Sequence, residues 1–187
     1  MDSAVLGANA RRDLLAIARE SIRAHLDGRA YQPDRPADPA LTTKSGAFVT
    51  LRCEGVLRGC IGSLEGRGPL YLTVAEMARS AAFHDPRFAP LSADEFDGID
   101  LEVSVLTPLR TIDDPGLVEV GRHGLIVSQG SSRGVLLPQV PTQFGWDRET
   151  FLEQTCRKAG LSPDAWRHGA LLQVFEAEVV DELDPGN

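Results

Sequence analysis

The residue best equipped for covalent or redox chemistry is Cys60, in the run VLRGCIGS at 56–63. A second β-rich run, GAFVTLRC at 46–53, precedes it, and Glu54-Gly55 lies between them. Two such runs around a two-residue turn ending in Gly predict a hairpin. In that hairpin the numbers of facing residues sum to about 109, so Cys60 is expected opposite Val49 and Arg58 opposite Leu51. Strand alternation then sets Arg58 and Cys60 on one side, about 7 Å apart. A guanidinium so placed favours thiolate over thiol, the form that a nucleophilic or redox-active cysteine uses. Gly59 and Gly62 remove side chains on either side, which lets a backbone or a ligand come close. The competing reading is an inert strand cysteine, since free Cys is among the most buried residue types.

Three further segments carry the other candidates. In AAFHDPRFAPL, His84 offers an imidazole for acid/base work and a neighbouring carboxylate such as Asp85 can orient it, with Arg87 two residues on. Asp-Pro also opens turns, so Asp85 has a structural alternative in an Asx-type bond. In Gly121-Arg122-His123-Gly124, Arg122 and backbone N–H groups can bind an anion, with His123 as a second acid/base; an exposed β-turn is the equal alternative. Gln139 and Trp146, in the stretch LLPQVPTQFGW, are pocket-lining candidates, although Trp146 also suits a core anchor.

The spacing of His25, His84, His123 and His168 matches no HxH, HExxH or Cys/His pattern, so no metal site is read. Spacing leaves open a site assembled from distant residues such as Cys60, His84 and His123. There is no GxGxxG after a strand, no GxxxxGK[ST] and no GxSxG, so the sequence names no cofactor. Cys53 and Cys60 are not cross-strand partners in the expected register, which argues against a disulfide between them. Cys156 falls on a predicted helix among packing residues.

Several elements must position these groups. Leu14, Ala18, Ile22 and Leu26 repeat at helical spacing, predicting a helix over about 10–27 capped by Asn9 and stopped by Gly28. Residues 31–40, with three prolines, read as a loop. PLYLTVAEMARSAAF reads as a helix with Pro69 in its first turn and a stripe of Leu70, Val74, Met77 and Ala81. Ser92 with Glu95 forms a capping-box pattern for a short helix, and Ile99, Leu101, Val103 and Val105 alternate as a half-buried strand. Beyond the Pro115-Gly116 turn, LVEV, GLIVS and GVLLP are strand candidates. Asp147 caps a helix over about 148–159, and a short helix follows Ser162-Pro163. ALLQVFEAEVVDEL reads as one final strand. Hairpin-like connections with interspersed helices predict α+β, an antiparallel or mixed sheet packed with helices.

Composition sets the outer bounds. With 187 residues, 42% of them hydrophobic, the chain suits a single domain, its ordered core over about 10–182. The 27 acidic and 19 basic side chains give a net charge of -8, which opposes phosphate backbones and makes nucleic acid an unexpected partner. The N-terminal residues lack the apolar core of a secretory signal, and no stretch reaches the roughly 20 apolar residues of a membrane span. Three cysteines without a CxxC pair fit a reducing cytoplasm.

At LRGCIGSLEG the chain resembles the AMMECR1 family, whose signature LRGCIG stands intact at Leu57–Gly62. GAFVTL, AAFHDPRFAPL, LEVSVLTPL, GRHGLIVSQGSSRGVLLPQV and FGWDRETFLEQTCRKAGL resemble further family blocks in the expected order, over roughly 10–180. The resemblance implies an α+β fold with a main lobe, a smaller lobe and a cleft between them. It also implies Memo-like and radical SAM proteins as companions, and it supplies no reaction. Two functions are therefore carried forward. One is a small-molecule-binding or thiol-dependent enzymatic protein, with Cys60 as nucleophile or redox thiol, Arg58 facing an anion, and His84 or His123 as acid/base. The other is a non-catalytic adaptor that docks a companion.

Overall fold

In the computed structural model residues 6–183 are described, and they form two compact units. One runs through Leu106 and resumes at Glu178; the other spans Thr107–Ala177.

The first unit is a four-stranded sheet with helices on one face. Its strands are β1 (Ala47–Cys53), β2 (Val56–Ser63), β3 (Ile99–Leu106) and β8 (Ala177–Asp181), in the order β2-β1-β3-β8. Its helices are α1 (Ala8–Leu26), α2 (Pro39–Thr42), α3 (Leu70–Phe83) and α4 (Ala93–Phe96). The predicted stripes are the buried ones. Leu14, Ala18 and Ile22 of α1 and Val74, Met77 and Ala81 of α3 share one core with Val49, Leu51, Leu101 and Val103. Burying each Val, Leu, Ile or Met side chain among them stabilises by about 1.5–3 kcal/mol.

The first helix begins earlier than predicted. Gly7 is its N-cap, and Asn9 lies inside the first turn, where its side chain accepts from Arg12 rather than capping. Pro69 is the N-cap of α3, one residue ahead of it. The 31–40 loop ends in α2, because Asp38 accepts the Ala40 N–H at 2.9 Å and Pro39 fits the first helical position. The capping box of Ser92 and Glu95 is present on α4.

The second unit has a sheet of β4 (Arg110–Ile112), β5 (Gly124–Gln129), β6 (Ser132–Leu136) and β7 (Leu171–Phe175), in the order β4-β7-β5-β6 with antiparallel pairings. Helix α6 (Arg148–Lys158), capped by Asp147 as expected, packs Phe151, Leu152 and Cys156 against Leu125, Val127 and Leu136. Three predictions fail here. LVEV forms no strand: Asp114 caps a 3-10 turn at Pro115–Leu117, and the Glu119 carbonyl then accepts from both Arg122 and His123 N–H. Residues 139–144, in the stretch of the pocket-lining candidates for which no helix was expected, form the helix α5 (Gln139–Phe144). The final strand is two, β7 and β8, in different sheets. Glu176 leaves the ladder between them because its N–H donates to Thr107 Oγ1 at 2.8 Å and its carbonyl accepts the Thr107 N–H at 2.9 Å.

The hairpin register also departs from expectation. Cys53 pairs with Val56 and Arg52 with Leu57, as the sum of 109 requires, but Leu51 then pairs with Gly59 and Thr50 with Cys60. Arg58 is the extra residue of a β-bulge. One inserted residue reverses the facing of everything beyond it. Cys60 therefore stands opposite Thr50, not Val49, and on the sheet face away from α3.

Gly59 takes the inward position instead. A Cβ there would lie 2.2 Å from the Ala81 carbonyl oxygen of α3, so strand and helix touch backbone to backbone. A Gly59→Ala change forces them apart and is expected to cost about 1–3 kcal/mol, read as a lower urea midpoint. Gly68→Ala, where a Cβ meets nothing within 4 Å, serves as the control and is expected to leave the midpoint near wild type.

Candidate functional site

β2 is an edge strand, so every second residue turns its N–H and C=O away from β1. At Cys60 both groups are captured by side chains of the loop after α3. The Cys60 N–H donates to Asp85 Oδ2 at 2.9 Å, and Arg87 Nη2 donates to the Cys60 carbonyl at 3.3 Å. Arg87 also forks onto the same carboxylate, with Nε on Oδ1 at 3.0 Å and Nη2 on Oδ2 at 2.7 Å. The Arg87 N–H closes an Asx turn on Oδ1 at 3.1 Å, as the structural alternative for Asp85 anticipated. Asp85 and Arg87 thus imitate one rung of a missing neighbouring strand.

Electrostatics follow from this geometry. Asp85 is 4% exposed. Its carboxyl is nevertheless held well below the usual carboxylate range, first by the Arg87 guanidinium and then by the Cys60 and Arg87 N–H groups, against the opposing effect of burial. Leu91 N–H donates to the Ala82 carbonyl at 2.9 Å, which pins the far end of the loop.

Cys60 is half-buried, and its sulfur lies 3.4 Å from Thr50 Oγ1. Arg58 is engaged elsewhere. Its Nε and Nη2 fork onto Glu95 at 2.8 and 3.1 Å, holding that carboxyl down at about 2, with help from the Ser92 N–H. The Phe88 ring lies beneath two cations, its centroid 5.9 Å from the Arg58 guanidinium carbon and 5.4 Å from that of Arg87. The expected pairing of Arg58 with Cys60 on one face is therefore replaced by Arg58 with Glu95, and Arg87 is the guanidinium bonded to Cys60. Sequence reading missed Glu95, Thr50 and Phe88 as members of this cluster. Only the capping-box spacing drew attention to Glu95, and for another reason.

The remaining candidates separate. His84 is exposed at the C-cap of α3. Gly62 lies beneath the Phe48 ring, where a Cβ would come 2.2 Å from a ring carbon. In the second unit His123 is 2% exposed and its Nδ1 accepts the Glu119 N–H at 3.1 Å. Burial pushes this imidazole down toward its neutral form, so it locks the turn as a neutral acceptor. Arg122 is exposed and paired with Glu119 and Glu176, and Gln139 opens α5 half-buried. Cys53, Cys60 and Cys156 are free thiols, and burial pushes that of Cys156 up. Among the described residues no three His, Cys, Asp or Glu side chains converge as metal ligands. Nor is any helix there long and apolar enough to cross a membrane.

The AMMECR1 family profile matches residues 15–180. The chain belongs to the AMMECR1 family. A protein of Methanothermobacter thermautotrophicus is 48% identical over 174 residues, covering 89% of this chain and 90% of that one. A protein of Thermofilum pendens is 42% identical over 190 residues, covering 92% and 89%. The crystal structure of uncharacterized protein PH0010 from Pyrococcus horikoshii superposes with a TM-score of 0.84 at 42% identity, covering 92% of this chain and 91% of that one. The AMMECR1 fold is thus α+β, as its residues foretold.

The clamp makes a pH-dependent contribution. The folded carboxyl of Asp85 sits below its unfolded value near 4, so its stabilisation is complete above that value and is lost as pH falls toward the folded one. Asp85→Asn is expected to destabilise by about 1–3 kcal/mol at neutral pH. The gap between variant and wild type should close on acidification below about pH 4, measured by urea unfolding across pH.

Proposed function

We propose that the protein acts through Cys60, as a small-molecule-binding or thiol-dependent protein whose ligand meets the sheet face carrying that sulfur. The observation that supports this is the edge clamp. A buried carboxylate and a guanidinium fix the backbone of Cys60 on both sides of its Cα, while the bulge at Arg58 turns the thiol away from the helices and leaves it half-exposed. A thiol held so firmly can present one fixed attacking or coordinating sulfur. Arg87, half-exposed and bonded to the same residue, takes the anion-facing role first assigned to Arg58. His84, exposed at the start of the loop, supplies the titratable group for proton transfer. In this account the neutral, turn-locked His123 is structural. Cytoplasmic placement, where thiols stay reduced, belongs to the same proposal.

A specific observation favours an adaptor as the second reading. Phe144 is 66% exposed and stacks on Trp146 with centroids 5.0 Å apart, an aromatic pair suited to a protein partner such as a Memo-like or radical SAM companion.

Alkylation with iodoacetamide, resolved by peptide mass spectrometry, separates the two. Cys60 is expected to label faster than Cys53 and much faster than Cys156, and Arg87→Gln is expected to slow it by loosening the clamp that fixes the backbone beneath the sulfur. Labelling of Cys60 no faster than Cys156 would end the thiol proposal. Loss of partner co-purification in Phe144→Ser, with Cys60 labelling unchanged, would favour the adaptor.

A further inference from the structure

A second chemistry lies on the helical side of the first unit, away from the motif in sequence. Ser21 and His25 of α1, Arg79 of α3, and the segment Arg29–Tyr31 surround a hollow of about 290 Å³. That is at the lower edge of the roughly 300–1,000 Å³ typical of small-molecule sites.

Arg79 is the unusual member. It is half-buried, yet no carboxylate of the described residues lies within salt-bridge distance of it; each of the other arginines around this hollow and the Cys60 clamp has one. Its one hydrogen bond runs from Nη1 to Ser21 Oγ at 3.2 Å. Ser21 is itself fully buried, and its hydroxyl donates to the Ala75 carbonyl at 2.7 Å. The serine therefore cannot rotate without losing a buried bond, and it aims the guanidinium as a fixed fork. A guanidinium with four N–H groups unused and restricted access to water gains most from an oxyanion that accepts two of them in parallel.

The neighbours suit the same ligand. Arg29 is bound on its outer side to Glu20 and Asp27 at 3.0 and 3.1 Å, which holds it at the rim. The Tyr31 phenol is raised by burial, with smaller effects from Glu20 and Asp34, so its O–H remains a donor. His25, which lines the hollow, is held by stacking on Phe83 with centroids 4.1 Å apart. Glu20 and Asp27 are both taken up by Arg29, which leaves Arg79 as the lining guanidinium without a carboxylate among the described residues.

We infer that this hollow binds a small anion through Arg79, a phosphate or carboxylate group whose two oxygens take the guanidinium fork, with Tyr31, His25 and Arg29 at its margins. It is a site separate from Cys60 and stands whether or not the thiol proposal does.

Isothermal titration with inorganic phosphate, and separately with malonate, tests it on the whole chain. Saturable one-to-one binding of either anion is expected, weakened at least about tenfold by Arg79→Gln and severalfold by Ser21→Ala, which frees the fork. Arg67→Gln, removing an exposed arginine elsewhere on the same unit, is expected to bind as wild type does. Because Arg79→Gln can disturb packing, the wild type is also titrated by NMR. There, phosphate or malonate should shift the amides of residues 21–31 and 79. No saturable binding, equal weakening by Arg67→Gln, or shifts confined to other residues would overturn the inference.

Discussion

A single extra residue in an edge strand governs the arrangement around Cys60. With Arg58 bulged out of the ladder, the pairs beyond it move from a sum of 109 to one of 110, and inward and outward positions exchange. Without the bulge Cys60 would oppose Val49, which is fully buried, and would point into the helical core. With it, Gly59 takes the inward place and Cys60 the outward one. The motif thereby separates two tasks that an unbroken strand would have placed on one face. Close packing against α3 falls to a residue without a side chain, and the thiol is free to face outward.

A bulge on an edge strand needs support on its open side, and the loop after α3 together with α4 provides it twice. Glu95 takes the displaced Arg58 through a bidentate pair, while Asp85 and Arg87 close the N–H and carbonyl of Cys60. The first interaction holds the extra residue out; the second holds the ladder beyond it in line. Both are charge-assisted, and both draw on one short loop and the helix it leads into. That loop is anchored by the Asx turn of Asp85 and by Leu91 on the last turn of α3. The same devices protect the sheet edge from pairing with another chain.

Much of the fold was legible because burial imposes a period. The stripes of α1 and α3, the alternation of β3, the caps at Asp147 and Ser92, and the Glu54-Gly55 turn each follow from local rules, and each is present. Two of the failures share a different cause. Arg58 bulges and the terminal strand divides at Glu176 with partners 37 and 69 residues away in sequence, which no local pattern announces, whereas LVEV gives way to a turn that His123 closes from four residues on. Cys60, Asp85 and Arg87 were each legible as candidates from residue type and loop chemistry. Their meeting was not, since it depends on a strand edge whose register had been shifted. His123 shows the converse: a titratable residue in a polar turn drew attention, yet its ring is buried and serves the turn.

The reversal of facing at Cys60 can be read directly by NMR of the hairpin. Because the Cys60 N–H and carbonyl point to Asp85 and Arg87, Thr50 and Cys60 must form a non-hydrogen-bonded pair, whose Cα atoms approach to about 4.5 Å. A strong Hα–Hα Overhauser effect between Thr50 and Cys60 is the expected result. Cross-strand effects that instead pair Cys60 with Val49 would show an unbulged ladder with the thiol turned inward, and would contradict the account.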